Sequence, residues 1–143
     1  MPSAARVVAL IGGEQVFGHP VASHLDIARA VRAGLHVAAI DHLIDRHLVT
    51  EAEIDRIIVP RKTLADRRRK GSLTPEQSDR VIRVARILSD ALETFGSQEK
   101  ALTWLRRGCA PLQGETPLDL LDTEEGAREV EFLIGRIAHG LVA

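Results

Sequence analysis

The sequence predicts an all-α protein, and three observations favour that fold class. Apolar residues recur at three- and four-residue spacing through most of the chain. Several of these stretches begin with Ser or Thr and end with glycine, which are helix start and stop signals. Of the 143 residues, 45 % are apolar and 27 % are charged, a composition that excludes a disordered chain.

Residues 1–36 are predicted to be an N-terminal helical segment. The apolar run at 7–11 fits either a strand or a helical turn, because periodicity cannot separate the two over five residues. Residues 23–33 have helical apolar spacing and are followed by Gly34, a typical helix-terminating residue. Dimerisation of the chain is one role that this segment could have.

Residues 37–89 form the second predicted unit, which opens with an apolar helical stripe. Thr50 is expected to cap a helix over 51–58. Pro60 interrupts that helix, and a further helix is expected over 61–70. Two short helices joined by a tight turn have the layout of a helix-turn-helix, whose second helix enters the DNA major groove.

The clearest boundary in the sequence is Thr74-Pro75-Glu76-Gln77, which combines a capping Thr, a proline at the first helical position and a capping-box Gln. It predicts a helix of roughly 20 residues, about 30 Å long, that ends at Gly96 and forms the spine of the fold.

Residues 90–143 complete the chain with a short helix after Ser97, a turn opened by Thr116-Pro117, and a last helix that starts near Asp122 or Thr123. The apolar stripe of that last helix comprises Val130, Leu133, Ile134, Ile137 and Leu141. Phe132 falls off this stripe, which favours either an exposed interface residue or a second packed side.

Charge is distributed unevenly along the chain. Residues 61–89 contain nine basic and three acidic side chains, a net of +6, whereas residues 1–60 carry −2 and residues 90–143 carry −5. A block of one sign in a neutral protein favours a polyanion site, and a solvated helix face is the alternative. The positive segment is therefore expected to face phosphates.

The helix over 61–70 is the predicted DNA-binding element. Leu64 is expected to point into the core and Arg68 to pack its stem beside it. Cationic side chains suit phosphate contacts and bidentate guanine contacts. The alternative is a basic surface helix in an ordinary bundle. The candidate DNA-binding residues are Arg61, Lys62, Thr63, Asp66, Arg67, Arg69 and Lys70.

Other function classes find little support in the sequence. Cys109 is the only cysteine, which excludes an internal disulfide and a thiolate metal cluster. The histidines lack zinc-binding spacing, and no catalytic set stands out. The chain is therefore expected to be neither an enzyme nor a holder of a metal or cofactor. Because no apolar run is long enough to span a membrane or form a secretory signal, a cytoplasmic location without membrane association is expected.

The C-terminal third resembles the C-terminal domain of Xre/MbcA/ParS-type antitoxins. Motifs occur in family order at 95–96, 101–105, 112–121, 123–130 and 133–140. Residues 37–89 resemble the Xre-type helix-turn-helix region of the same proteins.

This resemblance implies a type II antitoxin whose partner is a RES-domain toxin that degrades NAD. Its C-terminal helix would cover the entrance to the toxin's active site, and its middle domain would bind operator DNA and repress the operon. Homodimers and larger toxin–antitoxin assemblies are also implied. The residues that the resemblance assigns to toxin contact are Leu133, Arg136, Ile137, His139 and Gly140. Two alternatives remain: a stand-alone transcription regulator with a C-terminal dimerisation or effector domain, and a structural adaptor that binds no DNA.

Overall fold

The structure, a computed structural model, describes residues 2–140 and confirms the all-α prediction. Within that range the chain forms nine α-helices, two short 3₁₀ turns at Ala110–Leu112 and Asp119–Asp122, and one isolated antiparallel bridge between His36 and Ser72. The helices are α1 (Ala4–Leu10), α2 (Glu14–Phe17), α3 (His24–Ala33), α4 (Ala38–Asp45), α5 (Glu51–Ile57), α6 (Arg61–Lys70), α7 (Pro75–Phe95), α8 (Gln98–Leu105) and α9 (Glu124–Ala138). In the described part of the chain, no helix is both long and apolar enough to cross a membrane.

Helix α7 is the predicted spine and lies at the centre of the fold. The Thr74 hydroxyl accepts the Gln77 N–H at 3.1 Å, and the Gln77 side chain accepts the Thr74 N–H at 3.0 Å, so the predicted capping box is confirmed. Gly96 ends the helix at φ +78°, a conformation that glycine adopts without steric cost. Because α7 packs against α1, α3, α8 and α9, it joins the N-terminal, middle and C-terminal parts of the chain.

The ambiguous run at 7–11 is helical. Ser3 caps α1 by accepting the Arg6 N–H, and Val7, Val8 and Ile11 are buried in the core beside α7. A lone five-residue apolar stretch has no neighbouring strand to pair with, so helix formation satisfies its backbone locally. This helix closes one side of the core.

A short backbone link ties the start of α4 to the end of α6. The Leu73 N–H donates to the Leu35 carbonyl at 2.8 Å, and the Leu35 N–H donates to the buried Ser78 hydroxyl at 2.8 Å. A Cβ on Gly34 would collide with the Leu73 carbonyl, and the residue has φ +89°, so only glycine fits this approach. The link holds the two ends of the helix-turn-helix region together on α7.

The C-terminal part ends in α9, whose first turn is capped by Thr123 through the Gly126 N–H at 3.0 Å. Val130 and Ile134 are fully buried, as the apolar stripe predicts, while Leu141 lies outside the described residues. Thr116 also caps as expected, accepting the Asp119 N–H, although the element that follows is a 3₁₀ turn.

Candidate functional site

The predicted helix-turn-helix is formed by α5 and α6. Thr50 and Glu53 make a reciprocal capping box at the start of α5. Asp55 on α5 then accepts the Arg61 N–H at 2.8 Å, so α5 caps the start of α6 across the Pro60 turn. Leu64 is buried and fixes the rotation of α6. The outer face of α6 is thereby held in one orientation.

Three cationic residues of α6 are exposed along its outer side, away from Leu64, namely Lys62, Arg69 and Lys70, while Arg61 and Arg68 are exposed closer to the Leu64 side. Among the described residues, Arg61 and Lys62 make no ion pair, and Thr63 beside them is partly exposed. Side chains of this kind at the start of a recognition helix can reach phosphates and base edges. Their contact with DNA stays a prediction.

Three residues on α6, of which Arg67 and Asp66 are candidates, are already engaged within the chain. The Arg67 Nε donates to the Ser72 carbonyl at 2.7 Å, so this guanidinium closes the end of its own helix instead of flanking a free face. Arg68 pairs with Asp41 at 2.6 Å. The Asp66 carboxylate pairs with Arg69 and Lys70 at 3.2 and 3.3 Å, and hydrogen bonds from Lys70 and Arg69 lower its pKa. Asp66 therefore restrains two of the cations on the outer side.

The expectation that the whole positive segment faces phosphates is wrong for α7. Arg83 is only 11 % exposed and pairs with Glu124 at 3.1 Å, and Arg86 pairs with Glu124 and Glu131 at 3.2 and 3.3 Å. Arg80 donates to the Ile58 carbonyl. These arginines bind neighbouring parts of the chain, because α7 lies between the helix-turn-helix and α9. Among the cationic residues of 61–89, the exposed ones all lie on α6.

The Glu53–Arg106 ion pair joins α5 to the C-terminal part. The Arg106 guanidinium at the end of α8 donates two hydrogen bonds of 2.9 Å to the buried Glu53 carboxylate. Burial works to raise the pKa of Glu53, but hydrogen bonds from Arg106 and the Thr50 backbone outweigh it, so the pKa lies below its usual value. The residue that caps α5 thus also binds the C-terminal part of the chain.

The C-terminal end of α9, called here its outer end, and the two residues after it include the residues that the resemblance assigns to toxin contact. Arg136, His139 and Gly140 are exposed, and Ile137 is half-buried. Phe132 is 62 % exposed, with the Arg136 guanidinium 5.8 Å from its ring centre, a cation–π distance. Leu133 is 5 % exposed, so its side chain stabilises the core and is removed from the contact set. Whether the other four contact a partner stays a prediction.

A groove runs beside this surface, between α7 and α9. Its acidic lining consists of Asp90, Glu93 and Glu131, and His139 lies at one end. Sequence patterns gave no sign of this groove, of the Arg83 and Arg86 pairs, or of the Glu53–Arg106 pair. All of them join residues from helices that are distant in sequence. Arg80, Arg83 and Arg86 are three residues apart, a spacing that could have indicated that they share one face of α7. It does not indicate which helix packs against that face.

Comparison with known proteins matches both halves of the chain to domains of antitoxins. Residues 26–86 match the antitoxin Xre-like helix-turn-helix domain, and residues 90–140 match the antitoxin Xre/MbcA/ParS C-terminal toxin-binding domain. The chain is 35 % identical over 127 residues to antitoxin Xre of Yersinia enterocolitica, which covers 87 % of this chain and 86 % of that protein. It is 34 % identical over 129 residues to antitoxin Xre of Photorhabdus laumondii, covering 88 % and 87 %. A Sphingobium protein, the Prs ADP-ribosylating antitoxin, is 35 % identical over 80 residues, half of each chain.

Proposed function

Because this chain belongs to the Xre/MbcA/ParS family of antitoxins, we propose that it neutralises a RES-domain toxin that degrades NAD. In this proposal α9 covers the entrance to the toxin's active site, and Arg136, Ile137, His139 and Gly140 make the contacts. The observation that carries it is the exposed outer end of α9, where an aromatic ring and a guanidinium face solvent inside the toxin-binding domain. A large exposed aromatic residue is typical of a binding surface.

The name of the Sphingobium relative refers to ADP-ribosylation, a reaction that uses NAD. It supports a partner that acts on NAD. Steric coverage is favoured because the exposed end of a helix is suited to entering a cleft.

The test is to co-purify this chain with the RES-domain protein encoded beside it and to measure NAD consumption by the complex and by the freed partner. We expect a stable complex that consumes no NAD until this chain is removed. A partner that is equally active with and without this chain would contradict the proposal and favour a stand-alone regulator.

A truncated chain tests coverage by α9 itself. A chain ending at Gly135 keeps the buried residues Val130, Leu133 and Ile134, so we expect its fold to persist. It lacks Arg136 and the residues after it, so inhibition of the toxin should be lost. Full inhibition by this truncated chain would contradict the proposal that α9 covers the active site.

We further propose that α6 binds operator DNA of the chain's own operon, so that the antitoxin represses its own synthesis. The exposed cations of α6 support this, since they lie on the second helix of the helix-turn-helix. Binding should weaken steeply as salt rises, because cations released from phosphates drive it. Binding that does not depend on salt would contradict the assignment of α6.

Operators with two half-sites require two copies of the chain, and we propose a homodimer that also forms larger assemblies with toxin. Leu25, 57 % exposed on α3, supports the N-terminal segment as the contact between copies. A Leu25→Glu chain should elute as a monomer at a concentration where the unaltered chain is dimeric. A monomeric unaltered chain would contradict the proposal.

A further inference from the structure

Helix α9 contains two glycines that differ in what the fold requires of them. A Cβ on Gly126 would collide with the Leu120 carbonyl, so packing within the chain demands glycine there. A Cβ on Gly135 would meet no atom within 4 Å in the described structure. Glycine is among the least favourable residues in a helix interior. The free chain therefore gains nothing from glycine at position 135.

Gly135 lies on the floor of two adjoining depressions of the surface. On one side it is flanked by Phe132, Arg136 and His139, which form an almost wholly apolar hollow. On the other side it borders the acidic groove between α7 and α9. A missing side chain at this point lets another backbone approach α9 closely.

The groove between α7 and α9 is lined, among the described residues, by three carboxylates and by no Lys or Arg side chain. Glu131 pairs with Arg86 at 3.3 Å and Glu93 with Arg6 at 2.8 Å, whereas Asp90 has no ion-pair partner among the described residues. Burial is the largest cause that raises the pKa of Asp90, the charges of Glu131 and Glu93 act in the same direction, and neighbouring positive charges only partly offset them. An incoming cation would relieve this repulsion.

We propose that the face of α9 around Gly135 receives a segment of the toxin that carries a Lys or Arg side chain next to an apolar one. The cation would enter the groove at Asp90, the apolar side chain would lie on Phe132, and the backbone of the segment would cross α9 at Gly135. The proposal rests on the proposed toxin partner and adds the chemistry of the segment that binds. It extends the contact surface from the end of α9 across to α7.

The first test inserts a side chain at the crossing point. Gly135→Met places a good helix former where the free chain has space, so the thermal midpoint should rise or stay unchanged. Affinity for the RES-domain protein should fall at least about 30-fold, the loss expected at a binding hot spot. The matched control is Glu125→Met, on the same helix about 15 Å earlier, which should leave affinity unchanged.

The second test removes the charge of Asp90 and keeps its shape. Asp90→Asn should stabilise the chain slightly, because it removes the repulsion from Glu131 and Glu93. Affinity for the toxin should fall about tenfold, the loss of one charge-assisted contact, and depend less on salt. Glu125→Gln is the control, since that carboxylate is exposed and outside the groove.

The outcomes separate this inference from the proposed function. Stable variants with weakened affinity support it, because a purely structural role would lower stability as well. Unaltered affinity for Gly135→Met and Asp90→Asn, in a chain that still inhibits the toxin, would overturn the inference and leave the proposed function in place. An unaltered chain that does not bind the RES-domain protein would overturn both.

Discussion

Helices α6 and α7 follow each other in the sequence and are both rich in arginine, yet their cations differ in exposure. On α6, Arg61 and Lys62 are exposed and make no ion pair within the described part of the chain. On α7, Arg83 and Arg86 are largely covered and bind carboxylates of α9. The Arg61 guanidinium of α6 thus faces solvent, whereas those of Arg83 and Arg86 link α7 to α9. The difference comes from what lies opposite each helix, namely solvent or α9.

The largest expected effect is a loss of stability when the Arg83–Glu124 ion pair between α7 and α9 is removed. Arg83→Ala removes a guanidinium that is 11 % exposed and leaves Glu124 and two carbonyls, those of Leu121 and Asp122, with fewer partners. We expect the free energy of unfolding in urea to fall by about 2–3 kcal/mol. The control is Lys62→Ala on α6, which should change stability by less than about 0.5 kcal/mol. Equal effects of the two substitutions would contradict the comparison.

The next effect is a loss of stability in acid. Glu53 and Glu124 both have pKa values below normal because, although burial acts to raise them, hydrogen bonds and charges from arginines prevail. A lowered pKa in the folded chain stabilises it above the normal carboxyl pKa, and this stability is lost as pH falls through the folded value. The unfolding midpoint should therefore drop steeply below about pH 4.5. Glu53→Gln should flatten that dependence, and a pH profile that Glu53→Gln leaves unchanged would count against the role of the Glu53–Arg106 pair.

A smaller effect is expected on DNA affinity. Lys62→Ala should weaken operator binding about tenfold and lower the slope of log affinity against log salt by about 1, since one phosphate contact is lost. Arg86→Gln is the matched loss of one cation from α7 and should leave the salt slope unchanged. An equal change of slope for both variants would place α7 at the DNA and contradict the assignment.

The smallest expected effect is a change in affinity for DNA of unrelated sequence when the Asp66 carboxylate of α6 is removed. Asp66→Asn removes the carboxylate that holds Arg69 and Lys70, so both cations become free for phosphates. Affinity for DNA of unrelated sequence should rise about threefold, a small gain because exposed ion pairs of this kind are weak. Reduced affinity for unrelated DNA, measured by fluorescence anisotropy, would show that Asp66 positions these cations instead of competing for them.

The contrast between α6 and α7 also shows how far the sequence predicts this molecule. The caps Thr50 and Thr74 are predicted well, because a capping box depends on only four consecutive residues. The helices that they start are present as predicted. Helical periodicity places Leu64 in the core, where it is buried, but leaves Phe132 open between an exposed and a packed position, and the structure exposes it. Periodicity also places Leu133 on the buried stripe, where it lies, although the resemblance assigns it to toxin contact. The burial of Arg83 is not predicted, because it depends on which helix packs opposite, and no local pattern encodes that partner.

The most direct test is whether the proposed DNA-binding surface on α6 and the proposed toxin-binding surface on α9 can be removed independently of each other. One variant combines Lys62→Ala with Arg69→Ala on α6, and the other combines Phe132→Ala with Arg136→Ala on α9. Affinity for operator DNA and inhibition of NAD consumption by the RES-domain protein are measured for both. We expect the α6 variant to lose DNA and keep inhibition, and the α9 variant to do the reverse. Loss of both activities in either variant, with an unchanged unfolding midpoint, would contradict the account.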